Sequence, residues 1–382
     1  MQSAKIRASI SDIADPTATI LKRVHTKASQ IAAPGFARNG GDFVPNRGWT
    51  SASYVRFRHP GNGLERFSLL VLCTLGMKKL LQAAAFERRL VCDGAMGTQL
   101  ILAGLESGAC GELWNLTQPD RVLAIQRHYV EAGADCLITN TLGGSRTVLD
   151  RHGAADQFWA INQAGVRIAR EAFGNRPGYV LGNIGPLGAL VEPYGELSIA
   201  AARSALAEQA HALVEAGADA IIIETQTSLE ELGLAIDAAK AAGAPCIIGS
   251  LAYDLSADKT FYATMMGVLP DKAARFVEER GAHIVALNCG DGMDMAGAAK
   301  VVRIYRENCT LPAMAQPNAG LPQMEEGIAI YKQTPAEMAG GVPELLAAGA
   351  EIIGSCCGST PEHTHAIRQV VDEFNRSKPA AV

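Results

Sequence analysis

Gly349-Ala350-Glu351-Ile352-Ile353-Gly354-Ser355-Cys356-Cys357-Gly358-Ser359-Thr360-Pro361 carries both the punctuation of a fold and a possible chemistry. The glycine at its head suits the left-handed residue just past a helix C-terminus. The apolar run behind it suits a buried strand. Its first three residues have echoes upstream, at Gly133-Ala134-Asp135, Gly217-Ala218-Asp219 and Gly281-Ala282-His283. The four copies lie 84, 64 and 68 residues apart. Each interval covers two strand–helix units, since one such unit takes roughly 30 residues.

From Arg89 onward, short apolar runs alternate with longer Ala-rich stretches, the pattern of a parallel α/β fold. Eight runs are expected to be strands: Leu90–Asp93, Cys136–Thr141, Tyr179–Gly185, Ala220–Thr225, Cys246–Ala252, Ile284–Cys289, Pro312–Asn318 and Ile352–Cys357. They lack polar alternation, as expected when helices cover one face and a packed interior the other. Eight strands and the internal repeat predict a single (β/α)8 TIM barrel, an α/β fold, within residues 77–382. The alternative is an open doubly wound sheet, but no Gly-x-Gly-x-x-Gly follows a strand to support a dinucleotide fold.

Residues 1–76 differ from the rest. They carry ten Lys/Arg against four Asp/Glu, which leaves 24 against 35 for the remainder. This basic, Ser-containing, acid-poor segment has the flavour of a transit peptide. The plainer alternatives are a disordered tail or a true start at Met77. Its longest apolar run, Leu69–Cys73, is far too short to span a bilayer. A net charge of −5 favours neither nucleic acid nor an anionic membrane. Nine cysteines, an odd number spread along the chain, do not form a secreted disulfide framework, so a reducing compartment, the cytoplasm, is expected. A homo-oligomer is compatible with all of this.

In a barrel of this kind chemistry sits at the C-terminal ends of the strands. Those ends read Asp93-Gly94, Asn140-Thr141, Asn183, Glu224-Thr225, Asn288-Cys289, Asn318 and Cys356-Cys357. Adjacent strand residues point to opposite faces, so Cys356 and Cys357 can share a metal only where the strand is stopping. Gly354 and Gly358 permit that bend. Ser359-Thr360-Pro361-Glu362 reads as a cap followed by Pro at the first helical position. The pair therefore precedes a helix N-terminus, whose partial positive charge favours thiolates. Cys289 ends the sixth strand, two strands away around the rim. Three thiolates and one open position are the ligand set of a catalytic zinc. His363 and His365 are candidate fourth ligands, although they fall inside the last helix and suit a cap or a solvent-facing position. A vicinal disulfide is the non-metal alternative for the pair. Cys92, Cys136 and Cys246 are read as small buried hydrophobes, and the plainer reading of Glu224 is a helix-start acid.

Asp93-Gly94-Ala95-Met96-Gly97-Thr98, Glu224-Thr225, Asn288-Cys289-Gly290 and the closing stretch Gly354–Pro361 resemble the homocysteine S-methyltransferase family, in order, over about residues 87–375. That family includes betaine–homocysteine methyltransferases, S-methylmethionine-dependent enzymes and the homocysteine module of cobalamin-dependent methionine synthase. Pro317-Asn318-Ala319-Gly320 is most similar to the methionine synthase module. Glu112-Leu113-Trp114-Asn115 and Thr264-Met265-Met266-Gly267 look like bacterial betaine-type members.

The resemblance implies a zinc ion (Zn2+) held by Cys289, Cys356 and Cys357. It also implies that Asp93 and Glu224 hold the amino-acid part of homocysteine, with Gly94 lining its carboxylate. Asn140, Thr141 and Asn288, at their strand ends, are further candidate substrate contacts. Three positions depart from the family pattern. Ser355 replaces a glycine, Thr225 stands where some members have a tyrosine, and Gly143 stands where a betaine cage would place another, with Trp114 as one remaining wall. The expected donor is a small betaine-like molecule or S-methylmethionine. The alternative is a corrinoid protein carrying the methyl group. Two other classes compete: a non-catalytic zinc-binding or redox-sensing barrel, and a phosphate-binding barrel using Gly358-Ser359-Thr360.

Overall fold

A computed structural model describes residues 78–106, 108–325 and 328–377. The basic segment 1–76, expected to stand apart from the barrel, lies outside them. Eight parallel strands follow the chain: β1 (Leu90–Val91), β2 (Cys136–Ile138), β3 (Tyr179–Ile184), β4 (Ala220–Gln226), β5 (Ile247–Leu251), β6 (Ile284–Asn288), β7 (Ala313–Gln316) and β8 (Ala350–Ile353). Their order in the sheet is β1-β8-β7-β6-β5-β4-β3-β2. A parallel bridge between Cys92 and Cys136 joins the two ends. Asp93 N donates to Cys136 O at 3.0 Å, and Asp135 N to Val91 O at 2.7 Å. The sheet is thus a closed barrel, and each of the eight expected runs overlaps one of its strands, although β8 starts two residues before the expected run and stops at Ile353, and β4 runs one residue past it.

Eight helices cover the outside: α1 (Pro119–Glu131), α2 (Phe158–Phe173), α3 (Ile199–Glu215), α4 (Leu229–Ala241), α5 (Pro270–Glu279), α6 (Met295–Asn308), α7 (Val342–Ala348) and α8 (Pro361–Ser377). Their starts are written locally. Ser198, Ser228 and Asp294 cap α3, α4 and α6 by accepting an N–H of the first turn. Proline opens α1, α5 and α8, where its missing N–H is harmless. Among the described residues no helix is long and apolar enough to cross a membrane.

Two apolar layers follow from the strand period of two. On β4, Ile221 and Ile223 face the helices, while Ala220 and Ile222 face the bore. The bore also holds Ile138, Leu181, Ile248, Ala286, Met314 and Ile352, and Leu81 and Ala85 of the short helix Leu81–Glu87 close its lower end. That helix was not anticipated. Nor were two hairpins above the barrel, Asp254–Leu255 with Tyr262–Ala263 and Pro322–Glu325 with Ile328–Tyr331.

The Gly-Ala-Xaa repeat has a structural purpose. Gly133, Gly217, Gly281 and Gly349 all have positive φ, from 80 to 102°. The third residue of each copy accepts a backbone N–H from the neighbouring odd strand. Asp135 takes Val91 N at 2.9 Å, Asp219 takes Val180 N at 2.7 Å, His283 Nδ1 takes Ile247 N at 3.0 Å, and Glu351 takes Ala313 N at 2.8 Å. Strands are stitched in pairs, β1 to β2, β3 to β4, β5 to β6 and β7 to β8. This explains why the echo recurs every second strand.

Candidate metal and substrate site

The inward period continues past the apolar bore into a polar layer. Two residues beyond Leu181, Ile222, Ile248, Ala286 and Met314 stand Asn183, Glu224, Ser250, Asn288 and Gln316, all buried. On β8 the same place is Gly354, where a Cβ would lie 2.8 Å from Cys92 Cβ and 2.9 Å from Asp93 O.

Above this layer the three predicted cysteines converge. The sulfurs of Cys289, Cys356 and Cys357 all lie within 4.8 Å of one another. Cys289 and Cys357 are 3.7 Å apart, and Cys356 and Cys357 3.9 Å. Ligands about 2.3 Å from a tetrahedral zinc would stand about 3.8 Å from each other. A disulfide would bring two sulfurs to about 2.05 Å. All three are free thiols, so the vicinal-disulfide alternative is not what the structure contains. The end of β7 holds the two sulfur sources in place. Cys289 N donates to Gln316 O at 3.3 Å, Cys356 N to Pro317 O at 2.8 Å, and Ala319 N to Cys357 O at 3.0 Å. Cys289 itself adopts a left-handed φ of 56°. This conformation is uncommon for a non-glycine residue and typical of functional sites. Its neighbour Gly290, at φ 99°, has no room for a side chain, since a Cβ would lie 1.9 Å from Tyr253 O.

The trio shares its charge unevenly. Hydrogen bonds from Cys356 and Cys357 pull Cys289 down to about 3. The same bonds push Cys356 well up and Cys357 up to about 11. A further donor is Tyr331, whose hydroxyl bonds Cys357 from the hairpin above. Tyr331 packs so tightly that a Cβ on Gly358 would meet its own at 2.1 Å. Asn318 Oδ1 is buried without a hydrogen-bond partner among the described residues, although its Nδ2 donates to Gly290 O at 3.0 Å. Three soft sulfurs at tetrahedral spacing suit a thiophilic metal.

Below the sulfurs lie two carboxylates, Asp93 and Glu224, that form no ion pair among the described residues. Asp93 is 1% exposed and accepts from Ile138 N at 2.8 Å and the Cys92 thiol at 3.3 Å. Burial, and then Glu224, raise its pKa to about 8 against the pull of those donors. Glu224 is 8% exposed and accepts Asn183 Nδ2 at 2.6 Å. Burial is the main cause that lifts it to about 7. Glu224 stands at the end of β4 inside the bore, so the helix-start alternative does not describe it.

Other predicted positions are brought to the rim but occupied by the protein. Asn140 Nδ2 donates to Gly111 O and Asn115 Oδ1, and Thr141 Oγ1 donates to Asn183 O. Asn288 accepts Ser250 Oγ and Thr225 N and donates to Thr225 Oγ1, with Cys356 Sγ at 4.0 Å. Its amide thus braces the Thr225 turn, which has a φ of 61°, against the sulfur pair. Gly94 sits under Ser359 and Ser355, with 2.6 and 3.0 Å left for a Cβ. His363 accepts Thr360 N and meets Gln333 O at 2.8 Å, so it caps α8 and ties down the hairpin exit. Trp114 carries Arg121 over its ring at 5.3 Å, and Glu112 accepts Gly143 N at 2.7 Å, at the position where a betaine cage would place a tyrosine.

A closed parallel barrel with a convergent thiol trio at its mouth and uncompensated acids just beneath it defines an enzyme of the barrel class. The sequence matches the family model described as homocysteine S-methyltransferase over residues 90–371, and the chain belongs to that family. It is 33% identical over 304 residues to the methionine synthase of Mycobacterium tuberculosis, an alignment covering 76% of this chain and 25% of that protein. The methionine synthase of Mycobacterium leprae is 32% identical over 303 residues. The chain thus spans about a quarter of the length of these relatives. Among solved structures it is similar to the homocysteine methyltransferase MmuM of Escherichia coli in its metallated form. The TM-score is 0.63 at 21% identity, covering 76% of this chain and 99% of that one. The apo form of that protein gives 0.57. A likeness at this identity establishes the barrel.

Proposed function

We propose that this chain transfers a methyl group to the thiol of homocysteine, giving methionine, with zinc held by Cys289, Cys356 and Cys357. One observation carries the reading: a trio of thiols suited to a metal stands directly above two buried acids with no cation of their own. Homocysteine carries a thiol at one end and an ammonium at the other, and it fits both features at once. Buried carboxylates are costly without a partner, and the substrate ammonium supplies one.

When bound, zinc lowers the pKa of a coordinated substrate thiol and orients its sulfur for attack. Three cysteine thiolates exceed the charge of a divalent ion by one, which keeps sulfur at this site electron-rich. Asp93 and Glu224 hold the ammonium, and the Gly94 backbone lines the carboxylate. Asn288, Thr225 and the end of β7 keep the two cysteine segments in register. The apolar bore below excludes water. The free state of all eight described cysteines supports a reducing compartment, the cytoplasm.

Purified protein is expected to contain about one zinc per chain. Cys289→Ala, Cys356→Ala and Cys357→Ala should each lose metal, by elemental analysis, and methionine formation together. Full activity in a metal-free preparation would sink the proposal.

The donor is read as a small betaine-like molecule or S-methylmethionine. A second reading, a methyl-bearing corrinoid protein, is favoured by the rim. Leu190, Tyr194, Phe261 and Met265 are exposed on loops that follow β3 and β5, and the Trp114 ring is covered by Arg121. Homocysteine supplied separately with betaine, S-methylmethionine and methylcobalamin separates them. Methionine from a free small donor supports the first reading, and methionine only from the corrinoid supports the second.

A further inference from the structure

Asn183 has one polar atom that the barrel leaves unanswered. It is 3% exposed and follows Leu181 by two residues, so its side chain faces the bore. Its backbone is fully engaged: Thr139 Oγ1 accepts its N–H at 3.0 Å, and its carbonyl accepts Thr141 Oγ1 and Gln209 Nε2. Its Nδ2 donates to Glu224 Oε2 at 2.6 Å. A substrate ammonium would keep Glu224 ionised, and an ionised carboxylate only accepts, so the amide presents its nitrogen to Glu224 in that state. Oδ1 is then an acceptor. It is buried and has no hydrogen-bond partner among the described residues, and such an atom calls for a donor that arrives from elsewhere.

The neighbouring groups want the same thing. Glu224 is hydrogen-bonded by this same amide, and Asp93 is close enough to feel the charge of Glu224. We infer that Asn183 Oδ1 is the third acceptor, with Asp93 and Glu224, of a pocket that takes the primary ammonium of the amino-acid substrate. An α-ammonium carries three N–H donors, one for each acceptor from the ends of β1, β3 and β4. An acylated nitrogen has one donor and no charge, and a deaminated thiol acid has none. The pocket therefore selects free α-amino thiols, and Asn183 is a specificity residue absent from the candidate contacts drawn from sequence. This rests on the homocysteine reading of the site.

The test compares homocysteine with 4-mercaptobutanoate, which lacks the amino group, by calorimetric binding to zinc-loaded protein. The wild type should bind homocysteine more tightly. Asn183→Ala should weaken homocysteine by about tenfold or more, the scale of a hydrogen bond to a charged donor, and leave 4-mercaptobutanoate nearly unchanged. Asn183→Ser, a milder change in a strand, should show the same selective loss. The loss should persist in a Glu224→Gln background, because the contact is direct. Equal losses for both thiols, or a loss that vanishes when Glu224 is already replaced, would overturn the assignment of Asn183. A wild type that binds the two thiols equally would instead overturn the homocysteine reading.

Discussion

Glu224 shows how a group proposed to bind substrate can weaken the protein that carries it. Its folded pKa of about 7 lies above the unfolded value, through burial. Between the unfolded value of about 4.3 and the folded one, the native state keeps a proton that the unfolded chain has lost. Stability therefore falls as pH rises through that window and stays low above it. Glutamine cannot ionise, and its oxygen can still accept Asn183 Nδ2. Glu224→Gln should thus melt higher than the wild type at pH 8, by about 3 °C, with no gain at pH 4. Zinc should be retained, and the homocysteine requirement should rise. A variant melting no higher at pH 8 would show that burial does not disfavour this charge. Gly290→Ala should do the opposite. A methyl forced to 1.9 Å from Tyr253 O, at φ 99°, should cost about 3 kcal/mol or more in denaturant unfolding. At this scale the sulfurs were legible because a Cys-Cys pair between glycines at a strand end has few structural uses. Gln316 and Ser250 were not, because an all-apolar strand hides which alternate positions face inward. Tyr331 was invisible because its partner Gly358 lies beyond a hairpin that no local pattern announces.

The stitched strand pairs make a prediction at the level of elements. Three of the four stitches are carboxylates, and the third, His283, is an imidazole that must be neutral at Nδ1 to accept Ile247 N. Burial, and then Lys240, hold its pKa below the ordinary value. The unfolded chain then takes up a proton near pH 6.5 that the native barrel refuses. The stitch contributes fully above that pH and is lost as pH falls toward the folded pKa. His283→Asp, which copies Asp135 and Asp219, should flatten this dependence. Its melting temperature should drop less between pH 7.5 and pH 5 than that of the wild type, and parallel drops would refute the stitch. All eight strands and the Gly-Ala-Xaa turns could be read in advance, since buried parallel strands and left-handed glycines leave strong local marks. The plug Leu81–Glu87 could not, because it is a helix whose burial depends on a bore formed by strands far along the chain.

At the scale of the whole molecule, the proposed metal site sits on a barrel whose apolar layers are complete without it. Two apolar layers lie beneath the sulfur trio, one inside the bore and one under the helices. Stripping zinc with a chelator should therefore abolish methionine formation while far-ultraviolet circular dichroism stays unchanged, unlike a small zinc domain that unfolds without its ion. Loss of helical signal on chelation would mean that the ion holds the barrel itself together. The closure of the sheet has a consequence for biogenesis. β1 ends up hydrogen-bonded to β8, so the first strand to leave the ribosome waits for the last. At about 5–20 residues per second, the interval between Asp93 and Cys357 is on the order of tens of seconds. During that time the nascent chain carries Asp93, Glu224 and Cys289 without their final partners. Until Gly354 to Cys357 are made, neither the thiol trio nor the closed sheet beneath it can assemble, so both wait on the last strand of the barrel.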